Sequence, residues 1–189
     1  ADVTTLRLDD YMGVNTYQNH ISDHRPVRWR FIFEDIPQPA GLVINEIMNN
    51  PSAVSDTDGE WFELTNTSDE EIVLNGLILE DTNTDYHSME SSEQMIIMPG
   101  EFFVLGRQGN TALNGGIGID YEYSGINLNN SWDQIIIRHP NGTVVDMVYY
   151  DNGETFPDPT GASMMLIDPS VDNSSGSSWE TSVQPIGNG

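Results

Sequence analysis

The chain of 189 residues contains no cysteine and no lysine, so all six of its basic residues are arginines. Without cysteine it forms no disulfide bonds, and a buried apolar core must stabilise it instead. No run of about 18 apolar residues is present, which excludes a membrane-spanning helix. The first residues also lack the charged start and apolar run of a signal peptide, so we expect any export signal to lie upstream of residue 1.

The balance of charge is strongly acidic, with a formal net charge of −24 at pH 7. Residues 1–40 carry four arginines and six acids, whereas residues 41–189 carry two arginines and 24 acids. Binding of nucleic acid depends on basic side chains that displace counterions, so direct binding by residues 41–189 is disfavoured. Two interpretations remain: solubility in salty surroundings such as a marine or halophilic habitat, which we favour, and cation binding in acidic loops.

Short segments in which apolar and polar residues alternate recur along residues 42–182 at roughly 8–12-residue spacing. None shows helical periodicity, so we expect no helix longer than about two turns. Asn75-Gly76 predicts a hairpin-type turn, and Pro140-Asn141-Gly142 predicts a second hairpin. The polar stretch 82–93 is interpreted as loop. The pattern predicts an all-β, antiparallel β-sandwich, with strands at 42–47, 60–66, 72–74, 77–79, 95–98, 102–105, 134–138, 143–150 and 163–167.

Several of these segments form a recognisable series: NEIMNNP, DGEWFELTNTSDEEIVLNGLILED, MPGEFFVLGR, LNNSWDQIIIRHPNGTVVDMVYYDNG, GASMMLIDP and SSWETS. In these stretches and in their order, residues 42 to about 185 resemble a known family, the lamin-tail domain of secreted bacterial proteins. The resemblance implies an immunoglobulin-like β-sandwich over residues 42–189, which binds or tethers and is not itself an enzyme.

Residues 1–36 differ in pattern from the predicted sandwich, and we predict a short N-terminal β segment within them. In residues 27–33, Val27, Trp29 and Phe31 alternate with arginines, which predicts an amphipathic strand. Residues 37–41 contain two prolines and a closing glycine and are interpreted as a linker. An exposed apolar face on an unpaired strand is unfavourable. We therefore expect residues 27–33 to pack on the sandwich or to pair with the same segment of a second molecule.

Ser22-Asp23-His24-Arg25-Pro26-Val27 resembles the final catalytic motif of the endonuclease/exonuclease/phosphatase family, in which Ser-Asp-His-x-Pro-Val leads into the last core strand. The resemblance implies that residues 1–36 are the end of such a nuclease. Asp23 would then help to hold magnesium or manganese, and His24 would act as general base or phosphate contact. The alternative interpretation is a surface turn with a capping aspartate. Either way, these residues are inactive without the rest of that domain.

Ser55-Asp56-Thr57-Asp58-Gly59-Glu60 has the alternating acids and the glycine of a calcium loop. Asp56, Asp58 and Glu60 are the candidate calcium ligands, although the glutamate expected six residues after the glycine is missing. We favour the interpretation that this segment is a solvated loop. The chain itself is expected to need no cofactor.

Other groups of titratable residues give weaker indications of metal binding. Glu80-Asp81 with Asp85, and Asp168 with Asp172, are interpreted as solvated acidic loops. The histidines at positions 20, 87 and 139 are isolated from one another and from any cysteine, which argues against a zinc site.

Three functions fit these observations. The favoured one is a non-catalytic accessory module of a secreted bacterial nuclease that binds or tethers through an unknown protein, glycan or cell-surface ligand. The second is a piece of a metal-dependent phosphodiesterase that contributes Asp23 and His24. The third is a calcium-dependent adhesion or glycan-binding module that uses exposed aromatic residues such as Tyr149-Tyr150.

The partial nuclease motif leads to a testable prediction. We expect the purified chain not to cleave plasmid DNA with magnesium or manganese, because only two residues of such an active site are present. Agarose electrophoresis of supercoiled plasmid measures the result. Metal-dependent nicking that disappears in the His24→Ala variant would contradict this expectation.

Overall fold

The computed structural model describes residues 41–183. Within this range the chain forms twelve strands, a four-residue helix α1 (Asp56–Gly59) and a 3-10 turn (Gly176–Ser178). None of these helices has the length and apolar character needed to cross a membrane. The strands are β1 (Leu42–Met48), β2 (Trp61–Asn66), β3 (Ile72–Val73), β4 (Ile78–Glu80), β5 (Tyr86–Ser88), β6 (Ile96–Ile97), β7 (Phe102–Gly106), β8 (Tyr121–Glu122), β9 (Trp132–Arg138), β10 (Val144–Asp151), β11 (Met164–Leu166) and β12 (Trp179–Thr181).

The strands form two principal sheets and one small one. The larger sheet has the order β12-β11-β1-β2-β7-β8, and its neighbours are antiparallel except for β7 and β8. The second sheet has the order β10-β9-β4-β5 and is antiparallel throughout. Strands β3 and β6 pair with each other. The architecture is the immunoglobulin-like β-sandwich that the sequence predicts.

One apolar core joins the inner faces of the two principal sheets. From the larger sheet it receives Ile44, Phe62 and Leu64, and from the four-stranded sheet it receives Ile137 and Val148. All five side chains are fully or almost fully buried. Complete burial of one aliphatic or aromatic side chain contributes roughly 1.5–3 kcal/mol, so this shared core supplies most of the driving force for pairing the sheets.

A β-bulge in β1 breaks the simple alternation of inward and outward side chains that the sequence predicts for this strand. The register shifts between Ile44 and Glu46, which leaves Asn45 as an extra residue in the strand. An extra residue reverses which side chains face inward beyond it. Ile44 and Ile47 therefore both reach the core although they are three positions apart. Strict alternation would have left Ile47 on the outer face.

The Asn75-Gly76 turn is not a hairpin. Leu77 donates its N–H to the carbonyl of Leu74 at 3.1 Å, and Gly76 has φ of +82°, so the expected tight turn is present. However, β3 pairs with β6 while β4 joins the four-stranded sheet. The turn carries the chain from one sheet to another. Asn141-Gly142, in contrast, does close the predicted hairpin between β9 and β10.

Three strands lie where the sequence pattern predicts loop or no strand: β5, β8 and β12. Each has only two or three residues and little alternation of apolar side chains. Each is held by pairing with a neighbouring strand, since β5 pairs with β4, β8 with β7 and β12 with β11. Local periodicity does not detect a strand of this length, because its pairing partner determines its structure.

A buried carboxylate links the edge of the four-stranded sheet to the larger sheet. Asp146 on β10 accepts the backbone N–H of Ile44 at 2.6 Å and the side-chain amide of Asn173 at 2.8 Å. Asn173 also donates to the carbonyl of Ile44 at 3.3 Å. These bonds pair the backbone N–H and carbonyl of Ile44 beside the bulge, whereas the buried side-chain oxygen of Asn45 has no hydrogen-bond partner among residues 41–183.

Candidate binding site

The outer face of the four-stranded sheet carries exposed aromatic side chains. Strand alternation turns Val148 and Tyr150 toward the core and leaves Met147 and Tyr149 on the outside. On the neighbouring strand, Trp132 shares this outer face. Trp132 is 54% exposed and Tyr149 is 45% exposed. Large exposed aromatic residues close together on one face are typical of binding surfaces.

Trp132 and Tyr149 are diagonal neighbours. In the β9–β10 register, Trp132 lies opposite Asp151 and Gln134 lies opposite Tyr149. Diagonal side chains on one face of an antiparallel pair lie about 7–8 Å apart, within reach of aromatic side chains. We refer to Trp132 and Tyr149 as the aromatic strip.

A cavity of about 260 Å³ opens beside Trp132 at the end of the sheet. One wall is the loop between β4 and β5, and the other is the segment that leads into β9. Its lining is polar apart from the indole ring, and it includes no lysine, arginine or histidine. The lining side chains are Asp81, Asn83, Thr84, Asp85, Asn127, Asn129, Trp132 and Asp133.

Hydrogen bonds hold the two walls in place. Asp81 accepts the backbone N–H of Asn83 at 2.7 Å and that of Asp85 at 3.0 Å, which closes the β4–β5 loop on itself. Asp85 then accepts the backbone N–H of Asn127 at 2.6 Å, across the cavity. The walls are therefore organised before any ligand enters, which reduces the entropy cost of binding.

Asp133 also lines the cavity and adds to its negative charge. Its carboxylate accepts the backbone N–H groups of Asn129 and Gln134, both at 2.8 Å. Burial raises the pKa of Asp133, and the nearby carboxylates of Asp81 and Asp85 raise it further, against the effect of those two hydrogen bonds. The field inside the cavity disfavours an anionic ligand.

A buried ion pair supports the cavity wall from behind. Glu60, which is 3% exposed, accepts a hydrogen bond from Arg107 at 2.9 Å. The same carboxylate accepts the backbone N–H of Leu128 at 3.1 Å. Leu128 lies between the wall residues Asn127 and Asn129, so Glu60 fixes the backbone that presents both. Burial raises the pKa of Glu60, although Arg107 opposes that change.

The three candidate calcium ligands each bond to a different partner and do not converge on one point. Asp56 accepts a hydrogen bond from Asn130 at 3.1 Å, and Asp58 accepts one from Ser55 at 2.8 Å. Glu60 is committed to Arg107 and Leu128. Residues 41–183 contain no group of three or more histidine, cysteine, aspartate or glutamate side chains positioned to hold a metal ion. Calcium binding stays a prediction, and an ion at this segment would have to displace these contacts.

The other sequence-predicted residues fall in different places. Asp23, His24 and residues 27–33 lie outside the described residues. His87 contacts the hydroxyl of Tyr121 at 2.8 Å, whereas His139 is buried elsewhere. Burial lowers the pKa of both histidines. The two rings are not brought together.

The proposed platform of Tyr149 and Tyr150 is wrong in one respect. Tyr150 is only 2% exposed and donates its hydroxyl hydrogen to the carbonyl of Asn129 at 2.7 Å. Consecutive residues of a strand point to opposite faces, so the pair cannot share one surface. The outward partner of Tyr149 is Trp132, on the adjacent strand.

The chain belongs to the lamin tail domain family, because the family model matches residues 36–152. Those residues include every strand from β1 to β10. Strands β11 and β12 lie beyond the match, yet β11 pairs directly with β1 and extends the larger sheet. No curated protein matches the chain in sequence.

The sequence pattern indicates only part of this site. It predicts that Asp81 and Asp85 belong to one acidic group, but it does not predict that they lie near Asn127 and Trp132. The adjacency of β4 and β9 causes that proximity, and the two strands are more than fifty positions apart. An aromatic residue at the first position of a strand, after a run of asparagines, is the local signal that points to Trp132.

Two carboxylates on the larger sheet, one buried and one partly buried, predict that stability depends on pH. Glu46 and Glu63 lie opposite each other on β1 and β2. Glu46 is bonded by Ser163, and Glu63 by Asn45 at 2.8 Å. Burial raises the pKa of both glutamates above 4.5, and the charge on Glu46 raises that of Glu63 further. The folded protein thus binds these protons more tightly than the unfolded chain does.

We therefore expect the free energy of unfolding to fall as pH rises above 4.5 through the raised pKa values. Thermal melting at pH 5 and pH 7 measures this, and the protein should melt higher at pH 5. The lowered pKa values of Asp151, Asp168 and Asp172 act only below 3.8, outside this window.

The Glu63→Gln variant separates the effect of the Glu46–Glu63 pair on stability from the effect of the general surface charge. This variant should show a smaller difference in melting temperature between the two pH values, while the exposed control Glu154→Gln should resemble the parent. An equal difference in the parent and in Glu63→Gln would contradict the assignment.

Proposed function

We propose that the chain is a non-catalytic binding module that tethers a larger secreted protein through the outer face of its four-stranded sheet. The observation that carries the proposal is the aromatic strip beside a preorganised polar cavity. Exposed aromatic side chains are costly to leave in water, and here Trp132 lines the cavity while Tyr149 lies diagonal to Trp132 on the same face of the sheet.

The chemistry of the described residues supports binding over catalysis. The cavity carboxylates accept backbone N–H groups and are spread over two walls, without a nucleophile or a basic side chain among them. The two described histidines are separated from the cavity lining. Membership of a family with an immunoglobulin-like fold is consistent with this role.

The identity of the larger protein rests on residues 22–27. Their similarity to the last motif of the endonuclease/exonuclease/phosphatase family supports a secreted bacterial nuclease as the protein that this module serves. The second hypothesis, in which Asp23 and His24 contribute to a working active site, stays a prediction because both residues lie outside the described range.

The strong negative charge supports a tether that acts on something other than the nucleic-acid substrate. Only two arginines lie within residues 41–183, and both are engaged, Arg107 with Glu60 and Arg138 with Glu80 at 2.6 Å. Phosphate backbones would meet carboxylates without compensating cations.

A retention assay tests the proposal. The 189-residue chain, labelled with a fluorophore at its amino terminus, is incubated with washed bacterial cell envelopes and with insoluble polysaccharides. We expect retention on at least one of these materials. The Trp132→Ala/Tyr149→Ala variant should lose at least about nine-tenths of it, because aromatic contacts dominate such interfaces.

Phe102→Ala is the matched control. Phe102 is 53% exposed and lies on β7 of the other sheet, so its removal should leave retention unchanged. Absence of retention on every material, or equal retention of the double variant and the parent, would refute the proposed role of this face.

A further inference from the structure

We propose that the cavity and the aromatic strip bind a chain of uncharged pyranose sugars, with one ring inside the cavity. This inference rests on the binding function proposed above and names the ligand class for the same surface.

Trp132 gives the cavity an apolar wall of the kind that sugars use. One face of a pyranose ring presents C–H groups with a slight positive charge, and the face of an indole ring carries negative charge density. The two surfaces are flat and stack without loss of hydrogen bonds to the hydroxyl groups. The exposure of Trp132 leaves the indole accessible for this contact.

The polar lining matches hydroxyl groups, which donate and accept hydrogen bonds at once. The side-chain amides of Asn127 and Asn83 can also do both, and Asp85 accepts. Asn83 donates one amide hydrogen to Asp81 at 3.1 Å and Asn127 donates one to Asp85 at 3.5 Å, so each amide keeps a second N–H for a ligand. An ammonium group only donates and cannot accept from that second N–H. A sugar hydroxyl satisfies both kinds of group, which favours a neutral sugar over an organic cation.

The size of the cavity limits what enters. At about 260 Å³ it is smaller than the roughly 300–1,000 Å³ of pockets that enclose drug-sized ligands. A single sugar ring or chain end is therefore the appropriate scale. Tyr149, diagonal to Trp132 on the sheet, offers a second aromatic surface to the next ring of the chain.

Charge narrows the ligand class further. Asp81, Asp85 and Asp133 surround the cavity, and no basic side chain lines it. Uronic acids, sulfated sugars and phosphate-bearing polymers would meet like charge at close range. The ligand is therefore an uncharged glycan.

Calorimetric titration of the full chain tests the inference. The probes are hexasaccharides of glucose, xylose, mannose and N-acetylglucosamine, with hexagalacturonate as the anionic comparison and spermidine as the cationic one. We expect at least one neutral hexasaccharide to bind and hexagalacturonate not to bind. Trp132→Ala should weaken binding by about tenfold or more, the scale of one lost stacking contact.

Two further variants distinguish the contribution of the cavity to sugar binding from that of the aromatic strip. Asp85→Ala should weaken binding of a disaccharide and of the hexasaccharide alike. Tyr149→Ala should weaken only the hexasaccharide, since a disaccharide does not extend to it. Phe102→Ala should bind like the parent, and circular dichroism verifies that each variant is folded.

The outcomes are distinct from those of the retention assay. If the labelled chain is retained through Trp132 but no neutral hexasaccharide binds, the sugar assignment is wrong while the tethering role stands. Tighter binding of spermidine than of every sugar would likewise overturn it and assign the cavity to cations. Absence of retention of the parent chain on every material in the first assay would remove the binding function itself.

Discussion

Glu60 and Arg107 form an ion pair at the end of the larger sheet, in which the carboxylate is buried and the guanidinium is 21% exposed. Glu60 precedes β2, Arg107 follows β7, and the carboxylate also receives the N–H of Leu128 from the segment that enters β9. Removal of Arg107 leaves the buried Glu60 carboxylate uncompensated, which in buried pairs typically costs about 3–5 kcal/mol. The pair therefore constrains the sandwich and the cavity wall together: the residues on either side of Leu128 line the candidate binding site.

A shortage of cations gives this interaction its importance. Residues 41–183 hold two arginines and 24 acids, and each arginine is paired with a glutamate. Several of the remaining carboxylates, among them Asp146 and Asp133, accept backbone N–H groups instead. The same shortage shapes recognition, since residues 41–183 present phosphate and sulfate groups with like charge and no free arginine.

Sequence alone predicted the sandwich, because alternation of apolar residues follows from burial of one strand face. It failed where tertiary contacts decide. The extra residue Asn45 reverses the inward face of β1, and Asn75-Gly76 connects two sheets although its turn chemistry is that of a hairpin. The cavity was beyond prediction for a related reason: Asp85 and Trp132 become neighbours only through the pairing of β4 with β9, which no local pattern encodes.

A double-mutant cycle on Glu60→Gln and Arg107→Met tests most directly whether the buried pair is the constraint on which the fold depends. Urea unfolding of the parent, both single variants and the double variant gives the coupling free energy between the two side chains. We predict that both single variants are destabilised and that the double variant is more stable than their sum implies, with a coupling of about 1–3 kcal/mol. Effects that add to within about 0.5 kcal/mol would show that the two residues act independently and would contradict the account.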